Sequence, residues 1–176
     1  GLGDVYKRQV MDLSTEKVNY GFNLNQTFAE STGAAATVYS DKIDNRSSYT
    51  LGNSMYGNLA GLTTMQSTGV MWEQIPSMFI RGQKTLNGNN GILIVVDGLE
   101  RDNAYNVLRY LTPEEVESVT VLKDAAAVAL YGYKGINGVL NIVTKRGKYK
   151  SREINFSYDH GFTYQNRLPQ MADAYT

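Results

Sequence analysis

The stretch from Ile92 to Lys148 carries strand and helix punctuation in an order that few folds accommodate. Ile92–Val96 is continuously apolar and mostly β-branched, the pattern of a central strand buried on both faces. Asp97-Gly98 follows as a turn signal. Thr112-Pro113-Glu114-Glu115 has the form of an N-terminal capping box, with proline at the first helical position, where its missing N–H costs nothing. Val119–Leu122 reads as the next strand, and Asp124 stands where it can cap an alanine-rich helix, Ala125–Leu130. Gly132, Gly135 and Gly138 come next at three-residue spacing, then a strand from Val139 to Thr144. Short strands and short helices mixed within one unit predict an α+β fold.

The glycine spacing invites a phosphate-binding reading, which the element order opposes. Dinucleotide and P-loop sites run strand, glycine loop, helix, so that phosphate meets a helix N-terminus. Here the order is helix, glycine loop, strand, and the glycines are expected to permit positive φ and close backbone contact. Composition removes other classes. There is no cysteine, so disulfides, zinc–thiolate sites and thiol nucleophiles are excluded. His160 is the sole histidine, and no second imidazole exists to complete a metal site with it. Lys plus Arg and Asp plus Glu are both 17, which gives no global attraction to nucleic acid. Glu114, Glu115 and Glu117 suit the first turn of a helix, and no nucleophile–base pair accompanies them, so the chain is not expected to be an enzyme.

Upstream, Val10–Ser31 is polar and without sustained period, predicting an extended, disordered leader. Ala34–Tyr39 reads as a strand. Leu51, Met55 and Leu59 mark one face of a short helix within Tyr49–Ala60, with Gly61 where a C-terminal cap would stand. Leu62–Gln66 and Ser77–Arg81 are strand candidates, joined by a loop, Ser67–Pro76, that carries the only tryptophan, Trp72. Gln83–Gly91 is a polar Asn/Gly loop. Near the end, Ile154, Phe156, Tyr158, His160, Phe162 and Tyr164 share one parity while polar residues take the other. Such alternation fits a membrane-spanning β-strand of about 9–11 residues, and equally a long strand of a soluble sandwich. Lys145, Arg146, Lys148, Lys150 and Arg152 form a basic turn, either a solvated hairpin or a contact for anionic phosphates or a partner.

The segments Val121-Leu122-Lys123-Asp124-Ala125 and Asn137-Gly138-Val139, with Met78-Phe79-Ile80-Arg81-Gly82 before them, resemble the plug domain of TonB-dependent outer-membrane transporters. The likeness is to the SusC/RagA-like branch of Bacteroidota and reaches back to Thr32, about two-thirds of the chain. It implies a disordered leader over residues 1–31 (with 1–9 resembling an adapter-derived artefact), a plug over 32–148, and the start of an outer-membrane β-barrel over 149–176. On this view the chain is an internal fragment. The implied function is gated import of an oligosaccharide or peptide, without a cofactor. TonB, energised by ExbB/ExbD, would pull on the plug, and a SusD-like surface lipoprotein would cover the substrate. A siderophore- or cobalamin-type receptor would share the plug, although the VLKDA and NGV segments point away from it. A soluble periplasmic interaction module is the reading from a different class.

The resemblance also implies site residues. Plug loops facing the external cavity would include Trp72, Gln83, Lys84, Asn87, Asn89, Asn90, Arg101, Asp102 and Tyr105, aromatic faces stacking on sugar rings and amides meeting hydroxyls. In the other reading Trp72 packs its loop onto the plug. Arg81 would lock plug to barrel through a carboxylate in the barrel, or else stand in water at a strand end. The energy-coupling segment, which adds to a sheet edge of TonB, is nearest to Lys17, Val18, Asn19 and Tyr20, though without the usual run of valines.

Overall fold

The computed structural model describes residues 17–22, 24–27, 30–31, 33–43, 50–66, 75–86, 88, 90–101, 103–147, 156, 158 and 160. The apolar runs assemble one five-stranded sheet. Its strands are β3 (Ala35–Tyr39), β6 (Leu93–Val96), β7 (Leu99–Arg101), β8 (Val116–Leu122) and β9 (Val139–Thr144), in the order β3-β8-β9-β6-β7. β6 and β9 pair in parallel, Leu93 opposite Val139, and the other neighbours are antiparallel. Two small hairpins flank the sheet: β1 (Lys17–Asn19) with β2 (Asn25–Thr27), and β4 (Leu62–Met65) with β5 (Ser77–Ile80).

Because β6 is apolar throughout, it supplies both faces. Ile94 and Val96 join Val119, Val121, Leu140 and Ile142 on the first face, packed against Ile43 of α1 (Ser40–Ile43), Leu51 of α2 (Leu51–Ser54), Met78 and Ile80 of β5, and Leu108 of α3 (Ala104–Tyr110). Leu93 and Val95 join Leu122 and Val139 on the second face, against Val18, Tyr20, Ala127 of α4 (Ala125–Val128) and Tyr131. A register shift between Val116 and Ser118 in β8 brings Val116 onto the same face as Val119, three residues away. The second face also carries a polar row in register across three strands, half-buried Thr37 and buried Thr120 and Asn141, with Thr37 Oγ1 and Thr120 Oγ1 3.0 Å apart.

Several expectations are corrected. The leader is part of the fold from Lys17: β1 pairs with β2, and Val18 and Tyr20 are buried at 1% and 8% exposure. Two polar three-residue strands have no periodic signal, but two apolar side chains suffice to seat them. Arg101 and Tyr105, expected on a plug loop, lie in β7 and α3. Asp97 and Gly98, at φ 50° and 84°, make the two-residue turn of a β6–β7 hairpin, and Asn103 then caps α3 by accepting from the Asn106 amide at 3.2 Å. The helix expected through Ala60 ends at Ser54, where the Asn58 side chain takes the Ser54 carbonyl and Gly57 turns to φ 69°. Leu51, Met55 and Leu59 are nevertheless all buried. Gly61 therefore caps no helix; at φ 85° it begins the β4–β5 hairpin.

The other helical elements are shorter too. Pro113–Glu115 is a single 3-10 turn, the Glu115 carboxylate accepting from the Thr112 amide at 3.3 Å. α4 tightens into a 3-10 segment, Ala129–Gly135, interrupted at Gly132. Gly132 and Gly138 take positive φ, whereas Gly135 does not; it gives room, since a Cβ there would stand 3.2 Å from Tyr131, Val128 and Val139 atoms. Of the aromatic alternation over 153–164, only Phe156, Tyr158 and His160 are described, all exposed; the expected barrel strand otherwise lies outside the described residues.

Candidate functional site

The junction at the end of the sheet where β6 and β9 begin is built from three motifs. Arg81 closes β5 with φ 61°, and its guanidinium donates to Asp124 Oδ1 at 2.6 Å. The other carboxylate oxygen accepts from the Ala34 amide at 2.7 Å. Lys123 donates its amide to Ala34 O at 3.0 Å and its ammonium to Ala60 O at 2.9 Å, and the Arg81 amide reaches Gly61 O at 3.2 Å. The β4–β5 hairpin, the start of β3 and the β8–α4 corner are thus held by one carboxylate and one lysine. The Ala34 amide first, and then the Arg81 guanidinium, hold the Asp124 carboxyl below the ordinary carboxylate range.

Two expectations change here. Among the described residues the partner of Arg81 is Asp124, within the same domain, where a carboxylate in a barrel was expected. The ion pair is solvated, its side chains 54% and 32% exposed. Asp124 also does not cap α4 with its side chain, because its oxygens are committed to Ala34 and Arg81.

The Gln83–Gly91 loop lies beside this junction. Asn90 Oδ1 accepts from the amides of Lys84 and Thr85, each at 3.0 Å, and its Nδ2 donates to Thr85 O at 2.6 Å. Lys84 Nζ donates to Ile136 O at 2.8 Å, and Asn137 Nδ2 to Gly91 O at 3.1 Å. Asn90 and Lys84 are therefore fasteners of the loop, Gln83 is exposed, and Leu86 is fully exposed. Trp72, Asn87, Asn89 and Asp102 lie outside the described residues, as does the side chain of Tyr105. Arg101 is exposed at the end of β7, opposite Ile94. The Asp97–Gly98 turn follows the C-terminal end of β6, and β7 then runs back so that Arg101 lies towards the N-terminal end, which the Gln83–Gly91 loop precedes.

Lys17, Val18, Asn19 and Tyr20 are docked on the second face rather than presented as a free strand. The Tyr131 hydroxyl donates to Tyr20 O at 2.6 Å, and Asn141 Nδ2 donates to both Asn19 O and Asn19 Oδ1 at 3.1 Å. Burial first, and then the negative charge of Glu100, push the Tyr131 hydroxyl pKa up. The sequence reading overlooked Tyr131 and Asn141; a lone amide in the apolar run Val139–Val143 was the available signal. Among the described residues no cluster of His, Cys, Asp or Glu could hold a metal ion, and no helix is long and apolar enough to cross a membrane.

This fold, a mixed sheet whose Arg81, Asp124 and Gly138 corners meet at one end, has close counterparts. The TonB-dependent Receptor Plug Domain family matches residues 27–139. The chain belongs to that family. The TonB-dependent receptor SusC of Bacteroides thetaiotaomicron is 35% identical over 122 residues, 66% of this chain and 12% of SusC. The RagAB peptide importer in its open-open state superposes with a TM-score of 0.69 at 31% identity, covering 78% of this chain and 15% of that one. The rhizobactin receptor of Rhizobium meliloti is 36% identical over 98 residues, 51% of this chain and 12% of its own length. The plug is thus of the SusC/RagA-like kind, and it spans less than a sixth of each of these relatives. All three are receptors or importers, not enzymes.

Proposed function

We propose that this plug closes the lumen of an outer-membrane β-barrel and gates TonB-dependent import of an oligosaccharide or peptide. The likeness to RagAB carries the reading, since both fold and sequence agree over most of the chain. Physically, a small two-faced sheet with its core inside can fill a barrel and present polar edges to the wall. A SusD-like lipoprotein would lie over the outer mouth, and TonB, energised by ExbB/ExbD, would supply the work from the periplasm.

The test is uptake by cells carrying or lacking the complete gene. The expected outcome is loss of growth on one glycan or peptide class, together with co-purification of a surface lipoprotein with the wild-type protein. Loss of ferric siderophore uptake instead would favour the second reading, which rests on the rhizobactin receptor match over half of the chain.

A further inference from the structure

At the edge of the sheet, β7 and α3 border a cavity of about 470 Å³, within the size range of small-ligand sites. Register explains its walls. Leu99 and Arg101 stand opposite Val96 and Ile94, so their side chains take the first face, while Glu100, opposite Val95, takes the second. Along α3 and its caps, Asn103, Val107 and Leu111 follow at four-residue spacing, with Asn106 and Tyr110 on the adjoining stripe. Val96, Val107, Leu111 and Tyr110 make the lining largely apolar, and Arg101, Asn103 and Asn106 supply its polar groups.

The charge at this cavity is unbalanced. Arg101 is exposed and has no hydrogen bond or ion pair among the described residues, and the Asn106 side chain has no partner there either. The carboxylates flanking β7 are engaged elsewhere. Glu100 takes Lys134 at 3.0 Å, and Asp97 takes the Thr144 hydroxyl and amide at 2.6 and 2.9 Å. Asn103 commits its side-chain oxygen to the Asn106 amide at 3.2 Å. A guanidinium fork beside an aliphatic wall is complementary to a carboxylate carried on an apolar group. A neutral sugar suits the cavity less. Its hydroxyls would lose water against Val96, Val107 and Leu111, and Tyr110 is the one aromatic lining residue on which a ring could stack.

We propose that this cavity binds the C-terminal residue of an oligopeptide. Arg101 and Asn106 donate to the terminal carboxylate while an aliphatic side chain packs on Val107, Leu111 and Tyr110. The assignment rests on the import function proposed above and narrows its substrate to peptides. A site that holds a chain end reads only the last residue, so it serves many peptides of differing sequence.

Isothermal titration of the purified complete protein tests it, with tetrapeptides ending in Val, Leu or Ile, their C-terminal amides, and trigalacturonate as an acidic sugar. Wild type should bind the free acids about tenfold more tightly than the amides, and Arg101→Gln should remove that difference. Val107→Thr, which places a hydroxyl on the apolar wall at nearly constant shape, should weaken acid and amide alike. Equal binding of acids and amides, no binding of either, or a preference that survives Arg101→Gln overturns the proposal. So does Arg101-dependent binding of trigalacturonate alone. Peptide uptake that continues unaltered in cells carrying Arg101→Gln would refute the site and leave the import function standing. Absence of any uptake, with the acid preference intact on the purified protein, would do the reverse.

Discussion

Gly138 and Gly132 both take positive φ, yet they are not equivalent. A Cβ on Gly138 would meet Ile80 Cδ1 at 2.6 Å and Ile80 Cβ at 3.0 Å, while one on Gly132 meets nothing within 4 Å. Gly138→Val therefore adds a steric clash to the backbone strain and should cost more than about 2 kcal/mol, whereas Gly132→Ala should cost about 1 kcal/mol. Urea melts of the two variants check the order. Asp124 gives a second test at this scale. Its folded pKa is depressed, so its contribution is complete above the unfolded value of about 4 and lost as pH falls through the lower folded value. In melts between neutral and acidic pH, Asp124→Asn should cost stability at neutral pH and lose less on acidification. The solvated geometry limits the ion pair itself, so Arg81→Ala should cost no more than about 1 kcal/mol.

At the scale of elements, the sheet was legible because its central strands are continuous apolar runs. Ile92–Val96 and Val139–Thr144 could not be placed elsewhere without exposing them. The hairpins were not legible for the opposite reason. Lys17–Asn19 and Asn25–Thr27 are too short and polar for period two to register, and Leu99–Arg101 is exposed at all three positions. α3 was not legible although Val107, Leu108 and Leu111 carry a helical stripe, because a helix of seven residues offers too few apolar repeats to mark a period. The site was less legible than the sheet: Arg81 was recognised, but Asp124, its partner across 43 positions, had a plausible local role as a helix cap. The hairpin also has a pH signature. Tyr131 has a raised folded pKa, so its contribution is complete below the unfolded value of about 10 and lost as pH rises through the higher folded value. Ultraviolet difference titration of wild type against Tyr131→Phe should show one tyrosine ionising late, and release of the hairpin should accompany it.

At the scale of the whole molecule, the β6–β7 hairpin returns the chain towards the end of the sheet at which the Gln83–Gly91 loop enters β6. Gln83 stands before the start of β6, and Arg101 lies opposite Ile94, next to that start. A plug seated in a lumen presents one end of that strand outward. In the complete protein, Gln83→Ala and Arg101→Ala should therefore both weaken substrate binding or both leave it unchanged, and affinity measurements on the two variants would identify the outward end.

β9 is the last described strand in the chain, yet it lies in the middle of the sheet, between β8 and β6. A growing chain that has emerged only as far as Gly138 holds β3 with β8 and β6 with β7, two ribbons with no common partner. Each ribbon displays one unsatisfied strand edge until residues 139–144 slide between them. Assembly of the sheet is thus withheld until residues 139–144 are available, and until then the two ribbons keep open edges that other strands could pair with.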